Sequence, residues 1–292
     1  MKNLKIVLRE KITQKDYEEI KKLEKYCSSE DDVSFKLELE YKLSELKQKG
    51  EVIVNINDFM LYNDDMLIGY IGISDFGGGA LEVNGMVHPD YRKRGIFKRL
   101  FSLVVDEWTK RKQQEMLLLC DNKSLRGIDF INSVGGAYDH SEYDMALNME
   151  LMKDLKHYNI SLSEASMSEK VIVAEMDSIF FNMKVEADDE FIVENIENKT
   201  TFIARINDAI VGKVRLEISD GVGGIYGLGI VPELRGRGYG RELLLKSVQN
   251  LIERGSHKII LQVETKNKNA LNLYKSCGFI ENYVMDYYKI TK

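Results

Sequence analysis

The sequence predicts an α/β protein made of two homologous lobes. Three observations carry that expectation: a long internal repeat, a mixed order of helices and strands in each copy, and a length that suits two domains. The 292 residues include only two prolines, and their surroundings match. Met86-Val87-His88-Pro89-Asp90-Tyr91-Arg92-Lys93-Arg94-Gly95 reads against Gly229-Ile230-Val231-Pro232-Glu233-Leu234-Arg235-Gly236-Arg237-Gly238 at an offset of 143 residues. Asn132 to Gly135 and Lys275 to Gly278 keep that offset, so the similarity runs without net insertion. Solenoid units span roughly 20 to 50 residues, so a period this long is a duplicated domain. The polar, poorly periodic stretch Lys153 to Ser168 reads as a linker with an incoming strand, Ile160 to Leu162, and puts the boundary near residue 155. The expected lobes are therefore 1–155 and 156–292.

The first copy opens with a longer helical region, Asp16 to Gly50, with apolar positions at Tyr17, Ile20, Leu23, Leu39, Leu43 and Leu46. In the second copy, strands are expected at Thr201 to Ile206, Ile210 to Ile218, Ile225 to Val231, Lys258 to Val263 and Tyr283 to Ile290. A helix from Gly240 to Arg254 places Leu244, Val248, Leu251 and Ile252 on one face and ends at Gly255; a shorter one runs from Ala270 to Cys277.

Composition narrows the function. With 44% hydrophobic residues the chain has material for two cores, and 41 Lys+Arg against 47 Asp+Glu give a net charge of −6, which argues against a broad nucleic-acid footprint. No run approaches the roughly 18 apolar residues of a membrane helix, and Ile6-Val7-Leu8 is too short for a signal peptide core. Cys27, Cys120 and Cys277 lack CxxC spacing, and His88, His140, His157 and His257 are not clustered. No metal site or disulfide framework is expected, and the compartment reads as cytoplasmic. The sequons at Asn122, Asn159 and Asn198 are then chance matches, as is the SxxK at Ser44 to Lys47.

The stretch Arg235-Gly236-Arg237-Gly238-Tyr239-Gly240 lies between a strand and a helix. The helix's first amides and its dipole converge there, glycines admit phosphate oxygens, and Arg235, Arg237 and Arg241 supply positive charge. A pyrophosphate suits this geometry, although an ordinary turn with solvent-facing arginines would look similar. Gly227 and Gly229 in the preceding strand mark a bulge or a close backbone approach.

Downstream, Leu261-Gln262-Val263-Glu264-Thr265-Lys266-Asn267-Lys268-Asn269-Ala270-Leu271-Asn272-Leu273-Tyr274-Lys275-Ser276-Cys277-Gly278-Phe279 makes the reading specific. The patterns V-P-x-x-R-G-x-G-x-G and V-x-x-x-N-x-x-A-x-x-L-Y-x-x-x-G-F resemble the GNAT superfamily of N-acetyltransferases, closely from Leu228 to Phe279. Tandem members of that superfamily exist. The resemblance implies a mixed-sheet lobe in which acetyl-CoA, the acyl donor, pairs with Leu228, Gly229 and Ile230 on a bulged, splayed strand. Its pyrophosphate meets Arg235, Gly236, Arg237, Gly238, Tyr239, Gly240 and Arg241, and Asn267 touches the pantetheine arm. A primary amine of a small molecule or peptide attacks directly, and Tyr274 protonates the departing thiolate. By residue pattern alone Tyr274 would be a core aromatic and Asn267 a helix cap.

The first copy keeps Arg92 and Gly95 but has Phe97, Ser124, Gly127 and Ile131 where the second has Gly240, Asn267, Ala270 and Tyr274. It is expected to be a degenerate lobe with a weaker second cofactor site at Val87, Arg92, Lys93, Arg94, Gly95 and Ile96, which leaves catalysis to the C-terminal lobe. The family's usual base position holds Gln262. Glu264, Glu217 and a water chain remain candidates, Glu82 in the first copy reads as a paired carboxylate, and no base is assigned. Tyr283, Tyr287 and Tyr288 are expected at the acceptor side or in strand packing. The lobes suit a pseudo-dimeric monomer or a homodimer. An acyl-CoA sensor or scaffold without turnover is the alternative function.

Overall fold

A computed structural model describes residues 3–44, 55–76, 79–152, 157–181 and 184–292. The boundary expected near 155, the end of the first helical region and the SxxK lysine lie outside these residues. The chain forms two compact units, one of residues 1–141 with 283–292 and one of residues 142–282. Each has a central mixed sheet with helices against it.

In the first unit, β1 (Leu4–Arg9), β2 (Asp58–Asn63), β3 (Met66–Ser74) and β4 (Ala80–Val87) form an antiparallel meander, and β4 then runs parallel to β5 (Glu115–Asp121). The expected N-terminal helical region is two helices, α1 (Gln14–Asp31) and α2 (Leu39–Ser44). Thr13 and Asp16 form a reciprocal capping box at the start of α1, and Ile20, Leu23 and Cys27 face inward at helical spacing. Lys42 of α2 donates to Asp58 at 2.8 Å and to the Ile73 carbonyl at 2.7 Å, while Tyr70 donates to the same carboxylate at 2.6 Å. This buried network locks the helix to the sheet, because removing one partner would strand a charge away from water. The crossover helix α3 (Ile96–Lys110) packs Ile96, Leu100, Val104 and Trp108 on the other face, and α4 (Leu125–Ser133) follows β5.

The second unit repeats the plan. Its strands β7 (Ser161–Glu164), β8 (Thr201–Ile206), β9 (Ala209–Ser219) and β10 (Val222–Ile230) are antiparallel, and β10 lies parallel to β11 (Lys258–Glu264). The helices are α5 (Lys170–Phe181), α6 (Glu190–Glu197), α7 (Tyr239–Glu253) and α8 (Lys268–Ser276). Buried Leu244, Val248 and Leu251 of α7 lie in one core with Val214, Leu216 and Leu261 of the sheet. Glu242 in the first turn of α7 accepts the backbone N–H groups of Asn159 and Ile160 at 2.6 and 3.1 Å and the Asn159 side chain at 2.8 Å. The Asn159 sequon is thus a pin for the incoming strand.

The last strands depart from the expected domain limits. Residues 142–146 of β6 (Ala137–Leu147) pair antiparallel with β11, in the second unit. Met285 to Thr291 of β12 (Phe279–Thr291) pair antiparallel with β5, in the first. Glu142 faces Glu264 and Met285 faces Asp121, which are equivalent pairs at the 143-residue offset, so each copy's final strand completes the other copy's sheet. Tyr283, Tyr287 and Tyr288, expected at the acceptor side or in strand packing, belong to the first unit, where Tyr287 is 1% exposed and Tyr288 packs with Cys120 and Ile131, as strand packing would have them. Periodicity could not show this, because a strand's residues specify its two faces and not which equivalent neighbour it pairs with.

Trp108, the single tryptophan, reports on the first unit's core. Tyr287→Ala should lower the denaturation free energy followed by Trp108 fluorescence by about 3–5 kcal/mol, as large aromatic truncations do. Had β12 belonged to the second unit, the Trp108 transition would stay put.

Candidate functional site

In both units the parallel pair is short. β10 pairs with β11 from Val222 to Ile225 only, and β4 with β5 from Ala80 to Val83 only. Beyond those points the strands part, and among the described residues the parallel ladder does not continue along Gly227 to Ile230 or Asn84 to Val87. Backbone polar groups left this way call for a partner.

In the second unit the parting coincides with a β-bulge between Tyr226 and Gly229, as Gly227 and Gly229 lead one to expect. Gly227 has φ +55°, a left-handed conformation that costs any other residue. The Phe180 ring of α5 packs against Gly229, where a Cβ would come within 2.1 Å of it. At the end of β10, Gly236 (φ +76°) and Gly238 (φ +89°) turn the chain into α7, whose N-cap Gly238 leaves its side open, with nothing within 4 Å of a built Cβ. The first amides of α7 thus converge on an accessible spot suited to a phosphate.

The motif arginines divide their donors. Arg235 Nε donates to the Ile230 carbonyl at 2.9 Å, Arg237 to the Glu233 carbonyl at 3.3 Å, and Arg241 to Ser276 Oγ and O at 2.9 and 3.0 Å. Arg92 makes the equivalent bond to the Val87 carbonyl at 3.0 Å in the first unit, which identifies this arginine as a brace for the strand end in both copies. Asn267 is exposed and caps α8, its Oδ1 accepting the Ala270 N–H at 3.1 Å. Leu228, Ile230, Tyr239 and Gly240 gather with Leu273 around the opening between β10 and the two helices.

Tyr274 is buried on α8 beside Phe279, with ring centroids 6.2 Å apart, and its hydroxyl has no hydrogen-bond partner among the described residues. Burial pushes the phenol up to about 12, so it stays protonated through the neutral range. The candidate bases are held by cations: Glu217 by Arg215 at 3.2 Å and Glu264 by Lys266 at 3.8 Å. One pair was not singled out from the sequence. Lys213, opposite Gly229 in the ladder, meets Asp177 of α5 at 2.6 Å, and both are buried beside the bulge. Burial draws the Lys213 ammonium below its ordinary value although Asp177 opposes this. The available signal was an aspartate on the inward, apolar face of α5, beside Val173, Ala174 and Met176.

In the first unit, Val87, Arg92, Lys93, Gly95 and Ile96 line a cavity of about 460 Å³, which is open although Phe97 stands where the other copy has glycine; Arg94 is turned to the Asp90 carbonyl at 3.0 Å. Among the described residues, no group of three or more His, Cys, Asp or Glu is arranged to hold a metal, and no helix is long and apolar enough to cross a membrane.

Two sheets that part after a short parallel pairing, each followed by a glycine turn into a helix, define a tandem acyl-CoA N-acyltransferase architecture. The acetyltransferase (GNAT) family matches residues 17–135 and 171–279, and the chain belongs to that family. It carries two acetyltransferase (GNAT) domains, and that fold implies an acetyl-CoA site. A mycothiol acetyltransferase of Thermobispora bispora is 25% identical over 249 residues, 75% of this chain and 79% of that protein. That of Corynebacterium aurimucosum is 37% identical over 67 residues, 23% of this chain. There and in three further mycothiol acetyltransferases the chain spans 18–24% of the relative's length. In fold, the chain is similar to a GCN5-related N-acetyltransferase of Sphaerobacter thermophilus (TM-score 0.79, 17% identity, 98% and 95% of the two chains). It is also similar to a tandem GNAT protein from the clavulanic acid biosynthesis pathway (0.75, 12%, 99% and 98%).

Gly229→Ala should lower the melting temperature, because its methyl meets the Phe180 ring; adding Phe180→Ala should recover part of that loss. Thermal melts of the two single variants and the double variant check this, and strict additivity would refute the contact.

Proposed function

We propose that the C-terminal lobe transfers the acetyl group of acetyl-CoA to a primary amine of a small molecule or peptide, in the cytoplasm. The carrying observation is Tyr274: a buried phenol with no hydrogen-bond partner among the described residues, which its burial keeps protonated, on the helix that follows β11. The pyrophosphate sits on the amides of Gly236 to Arg241, the pantetheine arm follows Leu228 to Ile230, and Asn267 contacts it. The neutral amine nitrogen bonds to the thioester carbon, and a strand N–H at the bulge stabilises the oxyanion. The C–S bond then breaks and Tyr274 gives its proton to the thiolate. The amine's own proton leaves to water, since the nearby carboxylates are ion-paired. Phe180 and Phe181 of α5 lie over Gly229 and Gly227 and form the acceptor-side wall.

Acetyl-CoA titrated calorimetrically into the full chain should bind, and Gly238→Trp should remove the C-terminal site. With an amine panel, Tyr274→Phe should cut kcat by about 10²-fold with acetyl-CoA affinity unchanged. Full activity in Tyr274→Phe would remove it as the acid, and binding without CoA release across the panel would favour a sensor.

A further inference from the structure

Lys213 and Arg215 lie two apart on β9 and share one face of the sheet, the face on which Asp177 of α5 meets Lys213. Lys213 is taken: its ammonium is 2.6 Å from Asp177 and 3.8 Å from the place a Cβ would have on Gly227. Arg215 is held differently. Its guanidinium carbon lies over the Phe191 ring of α6 at 4.6 Å and over the Tyr226 ring of β10 at 4.9 Å, and its side chain is 19% exposed. Nε is buried without a hydrogen-bond acceptor, since Glu217 Oε1, although 3.2 Å away, is out of line with the N–H. Nη1 and Nη2 also have no acceptor among the described residues, and unlike Nε they are not closed off from solvent. A planar guanidinium fixed against two rings, with its outer donors open, is ready to make two parallel bonds to an oxyanion.

Its place in the ladder puts this cation beside the reacting centre. Arg215 pairs with Tyr226, the last paired residue before the bulge, and Phe181 and Lys213 both approach Gly227 just beyond it. Arg215 thus belongs to the acceptor-side wall and not to the glycine turn after Ile230. The first unit has no such cation. Ile225 and Val83 end the parallel pairing in their units and face Leu216 and Ile73, so Gly72 of β3 is the counterpart of Arg215. A Cβ on Gly72 would come within 2.4 Å of the Tyr70 hydroxyl and 3.0 Å of the Lys42 ammonium, so the buried network of Lys42, Asp58 and Tyr70 fills that place. The copy that keeps the motif tyrosine is the one with an open guanidinium.

We propose that Arg215 binds a carboxylate of the acceptor, so that the acceptor is an amino acid, or a peptide whose carboxylate lies near its reacting amine. The inference rests on the acetyl-transfer reading of the C-terminal lobe and deepens it by naming the substrate class. Asp177 and Glu217 offset much of the charge of Lys213 and Arg215, so a singly charged carboxylate suits this face better than a phosphate dianion. Arg215 selects the acceptor by its anionic end, while the amine at the other end reaches the thioester at the bulge.

The test is CoA release by the full chain with L-amino acids and with the corresponding α-carboxamides, which keep the amine and lose the anion. The amino acids should show kcat/KM about tenfold or more above the amides. Arg215→Gln, with Arg215→Ala as a second variant, should abolish that ratio mainly through KM, and Arg215→Lys should restore only part of it; acetyl-CoA affinity by calorimetry should not move. A ratio that survives both substitutions, or a loss shared equally by acids and amides, overturns the role of Arg215 and leaves acetyl transfer standing. Preference of the unchanged chain for phosphoethanolamine over β-alanine overturns the carboxylate. If no amine releases CoA, calorimetric titration of the amino acids into the CoA-saturated chain decides. Binding lost in Arg215→Gln upholds the carboxylate site and sinks acetyl transfer, whereas binding that is absent or indifferent to the substitution sinks both.

Discussion

Everything functional in this protein depends on two adjacent parallel strands that stop pairing after four residues. In an ordinary sheet the remaining N–H and C=O groups would be satisfied along the ladder; here they are withheld from it in each unit. The divergence creates both the opening and the reason for something to enter it. Strand, glycine turn and helix follow in order, so polar backbone on one wall and convergent amides at the mouth come from one continuous stretch of chain.

The two copies show how far the same constraint can be met with different residues. The second spends a bulge and a left-handed glycine to turn backbone toward the opening, and it covers the exposed glycines with Phe180 and Phe181. The first keeps a flush strand and places Asn84, whose Oδ1 accepts the Gly85 N–H, where the second has Gly227. In both, the first motif arginine is occupied with the last carbonyl of the strand, and the neighbouring main-chain amides are what remain for an anion.

The second copy was legible because its motif residues are constrained by backbone geometry. Gly236, Gly238 and Gly227 all occupy left-handed conformations, and the strand and helix limits read from alternation and 3.6-residue spacing fall within a few residues of those observed. Tyr274 and Asn267 were legible by position in a pattern, and the cap made by Asn267 was legible from residue type alone. What stayed hidden involves choice of partner. Nothing in Tyr283 to Ile290 says that its ladder partner is β5, since the duplicated β5 and β11 offer equivalent edges. Lys213 and Asp177 lie 36 positions apart, and the open cavity in the copy with the poorer motif follows from how Phe97 turns onto Phe130.

The exchange of final strands also sets an order of manufacture. The first unit has α1 to α3 and five strands as soon as β5 is made, yet the strand that pairs antiparallel with β5 is synthesised only after the whole of the second unit. Until then the β5 edge, with Leu117 and Leu119 along it, lacks that partner. The half made later has its borrowed strand waiting from the outset, so the copy translated second is the one that can finish first.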